Sequence, residues 1–408
     1  MKMHQVVIVG AGQAGAQAAL AVRECAPDVA VTLFGIEAHP PYERPQLSKA
    51  LLLNPGGEVP YIFDEGITAA SKIDFRPQCE VIAIDPVARC VSTSDGTRTR
   101  YDRLLLATGS RIRTITIDGI ASDKISYLRT LDDCRELARR LRTKPAVVVI
   151  GGGFIGLEVA ATAAQQGCRV TVIEAADMLL ARMGCPEASA IVAARHSERG
   201  LDVRLGVRVI SGSGDALHLS DGSSVDADVI VAGIGILPNT ELAESIGLEI
   251  DDGVVVDSYG RTSNPLIYAA GDVTRQPCPS AGGLVRLESW QNANDQAYAA
   301  GRSLAGQPTQ SGAVPWQWSD QGSLNIQVAG IPRTSERTLM RGDPRDSGGV
   351  TLFRLVGERV VGAITINRGS DMAVARRLVD QQGLALPADN LADPEIPLRK
   401  FLFGRRTT

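Results

Sequence analysis

The sequence lacks the cysteine spacing that a disulfide framework or a metal site requires. None of its seven cysteines forms a C-x-x-C pair or a zinc-ligand set; they stand at positions 25, 79, 90, 134, 168, 185 and 278. An odd and scattered set of this kind is typical of reduced thiols. We therefore expect a cytoplasmic protein without a metal ion.

The sequence also lacks long apolar runs and a strong net charge. No apolar stretch approaches the roughly 20 residues that a membrane helix needs. The apolar run at residues 6–9 is too short for a signal peptide and lacks a cleavage region. The formal net charge of -4 gives no sign of nucleic-acid binding. The sequence therefore predicts neither a membrane segment nor a nucleic-acid partner.

Glycine, in contrast, is abundant, and one glycine pattern occurs twice. A β-branched run at residues 6–9 precedes G-x-G-x-x-G at residues 10–15, and a run at 147–150 precedes the same pattern at 151–156. Each run predicts a buried parallel strand, and the alanine-rich stretch after each pattern predicts a helix. In such loops the first glycine allows the tight turn, the second lets the backbone approach a pyrophosphate, and the third lets the helix pack on the strand. The sequence therefore predicts two dinucleotide sites.

An acidic residue roughly 20 residues after each glycine pattern completes both fingerprints. Glu174 follows the run at residues 169–173, and Glu37 follows the run at residues 31–35. A carboxylate at Glu174 can accept both ribose hydroxyls of NAD and would repel the 2′-phosphate of NADP. The next two residues are alanines, and the nearest base is Arg182, which could instead contact adenine or pyrophosphate. We therefore expect NADH as the nicotinamide cofactor.

Three further motifs carry a resemblance to the two-dinucleotide-binding flavoprotein superfamily. They lie at residues 101–109, 229–235 and 267–272. The first and third resemble the superfamily's FAD motifs, and the second resembles the end of its NAD domain. The resemblance implies a glutathione-reductase-like α/β fold with two Rossmann-like domains. It also implies that Asp272 hydrogen-bonds the ribityl chain of FAD, a task that suits an ionised acceptor.

Within that superfamily the sequence resembles, nearly end to end, the ferredoxin reductases of bacterial oxygenase systems, such as those of aromatic-ring dioxygenases and putidaredoxin reductase. The most specific segments are residues 41–49, 127–133, 287–293 and 315–321. The resemblance implies an FAD-binding domain formed by residues 1–110 and 240–311, an inserted NAD-binding domain at 111–239, and a C-terminal α+β domain at 312–408.

The resemblance also implies the cofactor contacts. Those for FAD and NADH fall on Gly10, Gly12, Ala14, Gly15, Glu37, Arg44, Lys49, Val81, Ala107, Thr108, Gly109, Arg129, Gly153, Phe154, Ile155, Gly156, Glu174, Arg182, Gly235, Gly271, Asp272, Glu288, Trp290 and Trp318. The family usually has an acid where this chain has Ile36. Either Glu37 reaches the adenosine ribose of FAD, or only the backbone near Ile36 holds that ribose.

The resemblance implies a catalytic role for Lys49 and Glu158. The resemblance places Lys49 beside N5 of the flavin and pairs it with Glu158, where the ammonium stabilises the anionic reduced ring. The segment at residues 45–49 has no cysteine, unlike the related disulfide and peroxide reductases. A flavin takes two electrons from NADH and can release them singly. The resemblance therefore implies a [2Fe-2S] ferredoxin as acceptor, feeding a terminal oxygenase of aromatic-hydrocarbon catabolism.

The last hundred residues predict a small antiparallel sheet followed by a helix. Strands are expected at residues 323–329, 350–355 and 359–366, and the helix at 372–381. Trp290 and Trp318 are candidates for aromatic walls, whereas Trp316 is expected in the core. The resemblance implies that Trp290 contacts the flavin through its backbone and that Trp318 lines either the nicotinamide pocket or the exit route for electrons. Basic residues that could attract an acidic ferredoxin crowd the same region, although most are expected to be ordinary solvated charges: Arg333, Arg337, Arg341, Arg345, Arg376, Arg377, Arg399 and Lys400.

Two other functions share these motifs. One is an NADH-dependent reductase of rubredoxin, a quinone or a small organic acceptor. The other is a redox signalling protein like apoptosis-inducing factor, although such proteins usually carry targeting segments and long insertions that this sequence does not show. The sequence leaves open whether the protein is a monomer or a homodimer.

Overall fold

The computed structural model describes residues 3–63, 72–332, 335–346, 348–381 and 383–403, and the chain divides into two compact units. The first unit consists of Met1–Arg44, Glu58–Arg111 and Ile236–Pro315. The second unit consists of Pro45–Gly57, Ile112–Gly235 and Trp316–Thr408. Each unit is therefore assembled from three separate stretches of sequence.

The first unit is built on a parallel sheet that carries the first glycine loop. Its central strand, Gln5–Val9, lies between Ala30–Phe34 and Arg103–Leu106, and Ile73–Arg76 and Ile267–Ala269 lie outside them. The central strand consists almost wholly of buried β-branched residues, as expected when both faces of a parallel sheet are covered.

Two helices of the first unit, Gln13–Cys25 and Trp290–Leu304, pack closely because small residues line their contact. A Cβ added at Gly301 would lie 2.6 Å from the carbonyl oxygen of Ala18, so only glycine fits at that crossing. The remaining elements of this unit are the helix Glu241–Ser245 and the strands Val81–Asp85, Cys90–Thr93, Arg98–Arg100, Ser110–Ile112 (whose last residue begins the second unit), Ile236–Pro238, Val254–Val255, Thr274–Cys278 and Gly283–Val285.

The second unit repeats the parallel arrangement of the first. Its central strand, Ala146–Ile150, lies between Arg169–Glu174 and Val229–Ala232, with Asp202–Leu205 and Ile125–Ser126 outside them. In both units the strand before the glycine loop is central, and the strand that leads to the acidic residue lies on one side of it. The two glycine patterns therefore occupy equivalent places in two Rossmann-like sheets.

Helices and a second sheet complete this part of the second unit. The helix Leu131–Leu141 begins with a capping box, in which the Thr130 hydroxyl accepts from the Asp133 amide and the Asp133 carboxylate accepts from the Thr130 amide. The other elements are the helices Ala50–Leu53, Phe154–Gln165 and Pro186–Ser197 and the antiparallel strands Val209–Ser213, Ala216–Leu219 and Ser224–Asp226.

The C-terminal part of the second unit is an antiparallel sheet followed by a helix. In spatial order its described strands are Trp316–Gln321, Leu324–Gly330, Arg359–Ile366, Val350–Val356 and Arg337–Arg341, and the helix is Met372–Asp380. The three predicted strands and the predicted helix are confirmed to within a residue or two, whereas the first and last strands in this order were not predicted. The predicted fold class, two Rossmann-like domains and a C-terminal α+β domain, is confirmed.

Candidate active site

The first glycine loop has a backbone suited to a pyrophosphate. Gly10 has a φ of +107°, and a Cβ there would lie 2.1 Å from the carbonyl oxygen of Ala107. A Cβ at Gly15 would lie 1.9 Å from the carbonyl oxygen of Gly10. A Cβ at Gly12, in contrast, would meet no atom of the described residues within 4 Å. Packing therefore requires the first and third glycines, while the second faces open space where a ligand can approach.

The helix that follows this loop presents an uncapped start. Gly12 is the N-cap of the helix Gln13–Cys25; none of the described side chains caps it, and its first turn carries no acid. The first amide groups of a helix lack partners within the helix and attract anions, helped by the helix dipole. A dinucleotide pyrophosphate therefore fits this loop.

The second glycine loop has the same design. Gly151 also has a φ of +107°, and its Cβ would lie 2.5 Å from the carbonyl oxygen of Gly233. A Cβ at Gly156 would lie 2.2 Å from the carbonyl oxygen of Gly151, and a Cβ at Gly153 would have no neighbour within 4 Å among the residues that the structure describes. No described side chain caps the helix Phe154–Gln165, and its first turn carries no acid. This loop therefore fits a second pyrophosphate.

Glu174 lies against the second loop. Its Oε2 accepts a hydrogen bond of 2.7 Å from the Gly152 amide, and its Oε1 accepts one of 2.8 Å from the Ala176 amide. The carboxylate is thereby fixed at the end of its strand, where a ribose would be recognised. Arg182 is exposed on the short helix Ala181–Met183 nearby in sequence.

The remaining predicted contacts on this side also lie in the second unit. Phe154 and Ile155 begin the helix after the loop, and Ile155 is half exposed. Gly235 has a φ of +105°, and in the described part of the chain no heavy atom would lie within 4 Å of a Cβ there. Both features leave room beside the second loop for a ligand.

Glu37 has partners that the sequence did not predict. Its Oε1 lies 2.5 Å from Nη2 of Arg44, and its Oε2 accepts a hydrogen bond of 2.6 Å from the Tyr42 hydroxyl. Burial opposes the charge of Arg44, but attraction to Tyr42 and Glu37 outweighs it and raises the pKa of the guanidinium. Ile36 is 73% exposed. The structure therefore makes Glu37 the anchor of Arg44.

Other predicted FAD contacts surround the first loop. A Cβ on Gly271 would lie 2.9 Å from the Cβ of Ala14, and Gly10 packs on Ala107 as described above. Asp272 accepts a hydrogen bond of 3.1 Å from the Ser110 hydroxyl, and its charge attracts Arg44. The first unit therefore brings these predicted contacts together around one loop.

Thr108 and Gly109 fix the turn beside Ala107. The Thr108 hydroxyl donates to the Asn239 carbonyl at 2.8 Å, and the Gly109 carbonyl accepts from the Asn239 amide at 3.0 Å. Gly109 has a φ of +63°, which a side chain rarely adopts.

The other predicted contacts are divided between the two units. In the first unit, Val81 is buried at the start of its strand, Glu288 forms an ion pair with Arg286, and Trp290 begins a helix. In the second unit lie Arg129, next to the capped helix start, together with Lys49 and Trp318.

Lys49 and Glu158 form a direct ion pair inside the second unit. Nζ of Lys49 lies 2.7 Å from Oε2 of Glu158, with side-chain exposures of 16% and 2%. Lys49 also donates to the Pro45 carbonyl at 3.1 Å. Glu158 accepts two further hydrogen bonds, from Ser48 and, at 2.7 Å, from Ser319. The sequence predicted the ion pair but missed both serines, although each stands in a segment that carried the resemblance.

The two tryptophans of the strand Trp316–Gln321 stack on each other. The ring centroids of Trp316 and Trp318 are 5.2 Å apart at an interplanar angle of 24°, and Arg376 lies over Trp316 at 5.3 Å. Trp316 is partly buried, with its indole nitrogen enclosed, rather than fully covered as a residue at the centre of a core would be. Residues two apart on one strand share a face, which brings the rings together.

The cysteines offer no electron relay. All seven are free thiols, and five of them are buried. Burial raises the pKa of Cys134 and of Cys185 to about 11, so both remain protonated near neutral pH.

Within the described residues, no group of histidine, cysteine or acidic side chains could hold a metal ion. Within the same residues, no helix has both the length and the apolar character to cross a membrane.

The chain belongs to the pyridine nucleotide-disulphide oxidoreductase family, whose model matches residues 4–297. Residues 316–402 match the reductase C-terminal family. The resemblance drawn from the sequence is therefore confirmed at the level of the family.

Individual relatives within this family include ferredoxin--NAD(+) reductases. The ferredoxin--NAD(+) reductase component of the anthranilate 1,2-dioxygenase system of Burkholderia cepacia is 42% identical, covering 98% of this chain and 100% of that protein. The corresponding component of the p-cumate 2,3-dioxygenase system of Pseudomonas putida is 40% identical, covering 97% and 98%. The covalent putidaredoxin reductase–putidaredoxin complex contains a chain that matches with a TM-score of 0.93 and 35% identity, covering 98% of each chain.

Proposed function

We propose that the chain is an NADH-dependent flavoprotein reductase that passes electrons through FAD to a [2Fe-2S] ferredoxin of an oxygenase system. The observation that carries the proposal is the pair of glycine loops, each with open space at its second glycine and an uncapped helix start. The names of the dioxygenase-system relatives and of the putidaredoxin reductase complex support the ferredoxin acceptor.

The two loops have different tasks in this proposal. The first loop holds the FAD pyrophosphate, with Asp272 on the ribityl chain and Arg44 held ready by Glu37. The second loop holds NADH, with Glu174 on the adenosine ribose. Residues 1–110 and 240–311 then form the FAD domain, 111–239 the NAD domain and 312–408 the C-terminal domain.

Bound FAD supplies a ring that takes a hydride from NADH and releases electrons one at a time. The chain's own contribution is a fixed positive charge at Lys49, which would stabilise the negative charge of a reduced ring bound beside it. The Lys49 side chain is only 16% exposed, and its ammonium is held by Glu158 and the Pro45 carbonyl, so its position is set before any ligand binds. Preorganised charge of this kind lowers the barrier because it needs no rearrangement during the reaction.

The thiols support direct transfer from flavin to ferredoxin. The buried Cys134 and Cys185 stay protonated, and a protonated thiol is a poor nucleophile. A chain with seven free and mostly buried thiols also suits a reducing compartment, and we place the protein in the cytoplasm.

Replacing Lys49 tests the chemistry. Lys49→Met should slow the reduction of bound FAD by NADH about tenfold or more, because the charge that favours the reduced ring is lost. FAD content should stay close to that of the unaltered protein. The rate is measured by stopped-flow absorbance, with Lys124→Met as a control because that lysine is an exposed member of a surface ion pair. An unchanged rate in Lys49→Met would remove Lys49 from the mechanism.

A second experiment identifies the acceptor. Purified protein with NADH should reduce a [2Fe-2S] ferredoxin much faster than rubredoxin or a quinone. Preference for rubredoxin or quinone would favour the alternative reductase. Slow NADH oxidation without turnover of any carrier would favour a redox signalling protein.

The basic residues in the last quarter of the chain are the candidates for electrostatic docking of an acidic ferredoxin. Arg341 is buried and binds four backbone carbonyls, so the expectation that it lies on the surface is wrong. Arg337 and Arg345 are already paired with acids, and Arg333 lies outside the described residues. The remaining candidates are Arg376, Arg377, Arg399 and Lys400. If docking uses them, ferredoxin reduction should fall steeply with salt.

A further inference from the structure

The carboxylate of Glu158 is the end of a longer chain of buried polar groups. Glu158 is 2% exposed, and its three donors are Lys49, Ser48 and Ser319. A buried charge is costly unless ion pairing and hydrogen bonds satisfy it. The ammonium and the two hydroxyls together meet that requirement, so the orientation of each donor matters to the pair.

The chain continues from Ser319 into the interior. The Ser319 hydroxyl accepts from Nε2 of Gln321 at 3.1 Å, and Oε1 of Gln321 lies 2.7 Å from Nε2 of His196. Ser319, Gln321 and His196 are each 0% exposed. We call the four residues His196, Gln321, Ser319 and Glu158 the buried donor chain.

The direction of every hydrogen bond in the buried donor chain follows from its charged end. An ionised carboxylate only accepts, so the Ser319 hydroxyl must donate its one hydrogen to Glu158. Ser319 must then accept from the amide nitrogen of Gln321, which turns the amide oxygen towards His196. Nε2 of His196 must therefore carry a hydrogen.

His196 is suited to remain in that single tautomer. Burial lowers its pKa and outweighs the hydrogen bond to Gln321, which raises it, and the nearby charge of Arg199 adds to the lowering. No described side chain or backbone group bonds its Nδ1. A second proton, on Nδ1, would therefore make the ring cationic and would itself have no described partner in the interior. The histidine is thus a neutral donor that points towards Gln321.

We infer that His196 is a positioning residue that acts through Gln321 and Ser319 to hold the Glu158 carboxylate, and through it the Lys49 ammonium, in one orientation. This inference rests on the proposed function in one respect, because it takes from that proposal the role of Lys49 beside the flavin. Without the donor at His196, the Gln321 amide is free to turn over. Ser319 would then have to donate to Gln321, and Glu158 would lose one of its three donors.

The first test observes the tautomer and requires neither NADH nor ferredoxin. The chain has four histidines, so ¹⁵N-histidine labelling gives few signals, and His196→Gln identifies the one of interest. We expect neutral imidazole with the hydrogen on Nε2 from about pH 6 to 8, the range in which an ordinary histidine titrates. A hydrogen on Nδ1, or a cationic ring in that range, would overturn the inference.

The second test measures the coupling to Lys49. Ser319→Ala should slow the reduction of FAD by NADH about threefold to tenfold, the scale of losing one aligned hydrogen bond to a charge, while the dissociation constant for NADH stays unchanged. Ser319→Thr keeps the hydroxyl and should restore most of the rate. Equal rates in the alanine and threonine variants would overturn the inference even if His196 variants fail to fold.

The third test compares donors at residue 196. His196→Gln can still donate to Gln321, whereas His196→Leu cannot, so the first should react faster than the second. His218→Gln serves as the control, because His218 lies at the surface of the same unit and bonds only Ser213 and Ser224 among the described contacts. Failure to reduce any ferredoxin would count against the proposed function while leaving the tautomer and the FAD reduction rates readable.

Discussion

The two glycine loops share a backbone and differ in what their acidic residues do. In the second unit, both oxygens of Glu174 accept backbone amides at the loop. In the first unit, both oxygens of Glu37 are engaged by side chains, those of Arg44 and Tyr42. The loop backbones correspond closely, with a φ of +107° at the first glycine of each.

The difference shows that the glycine pattern and the acidic residue of the fingerprint can differ independently of each other. In the proposed function the glycines set the site for the pyrophosphate, and the loop backbone is alike in both units. In the same proposal the acid recognises a ribose in the second unit, where its carboxylate is held against the loop. In the first unit the shift by one residue, from Ile36 to Glu37, instead gives the carboxylate an arginine to anchor.

The largest expected effect comes from filling the open space at the second glycine of each loop. Gly12→Val should yield protein that folds but retains little FAD. Gly153→Val should retain FAD and raise the KM for NADH at least tenfold, or about 1.4 kcal/mol. Flavin absorbance per protein and steady-state kinetics measure the two outcomes. Within the described ranges of the chain, a Cβ at either position meets no atom within 4 Å, so the pair is matched for packing.

Far-UV circular dichroism of both variants provides the control for folding. Full FAD content in Gly12→Val would show that the first loop does not hold FAD. Loss of FAD in Gly153→Val would remove the distinction between the loops.

A smaller effect is expected from neutralising the two acids. Glu174→Gln should raise the KM for NADH about tenfold and reduce the preference for NADH over NADPH, because a neutral amide no longer repels a 2′-phosphate. Glu37→Gln should leave that preference unchanged and lower the free energy of unfolding by about 1 kcal/mol through the weakened ion pair with Arg44. Kinetics with both nucleotides and urea unfolding separate the results. A shift of nucleotide preference in Glu37→Gln would contradict the comparison.

The smallest effect concerns thiols, which also differ between the units. Cys25 and Cys79 of the first unit are half-buried, whereas the three cysteines of the second unit are buried. An aromatic disulfide reagent at about pH 8 should label only the first two in the folded protein, since exposure and ionisation control reactivity. Mass spectrometry of tryptic peptides locates the label. Labelling of Cys134 or Cys185 before unfolding would disagree with their raised pKa.

Features written in short stretches of sequence were predictable. Strand, glycine turn and helix are adjacent in the chain, so their pattern indicated both parallel sheets and both loops. The helix Met372–Asp380 and the strand Arg359–Ile366 were likewise found from local pattern. The strand Arg337–Arg341 was missed because its charged ends resemble a solvated surface segment, although Arg341 is buried by backbone carbonyls from residues 391–396.

Partners that meet only in the folded chain were not predictable from spacing. Nothing in the seven-residue interval between Glu37 and Arg44 indicates an ion pair. His196 is a single histidine at the end of a helix, and no local pattern marks it as a neighbour of Gln321. Only the folded second unit shows that the two residues meet.

The discontinuity of the second unit has a consequence for synthesis on the ribosome. Ser48 and Glu158 are 110 residues apart, and Ser319 lies a further 161 residues beyond Glu158. The nascent chain therefore exposes the Glu158 carboxylate long before its last hydroxyl donor has been translated. Domains usually fold as they emerge from the ribosome, but this unit cannot be completed until Ser319 has been translated. A product that stops before Ser319 would have to leave the Glu158 carboxylate in water or bury it without one of its hydrogen-bond donors.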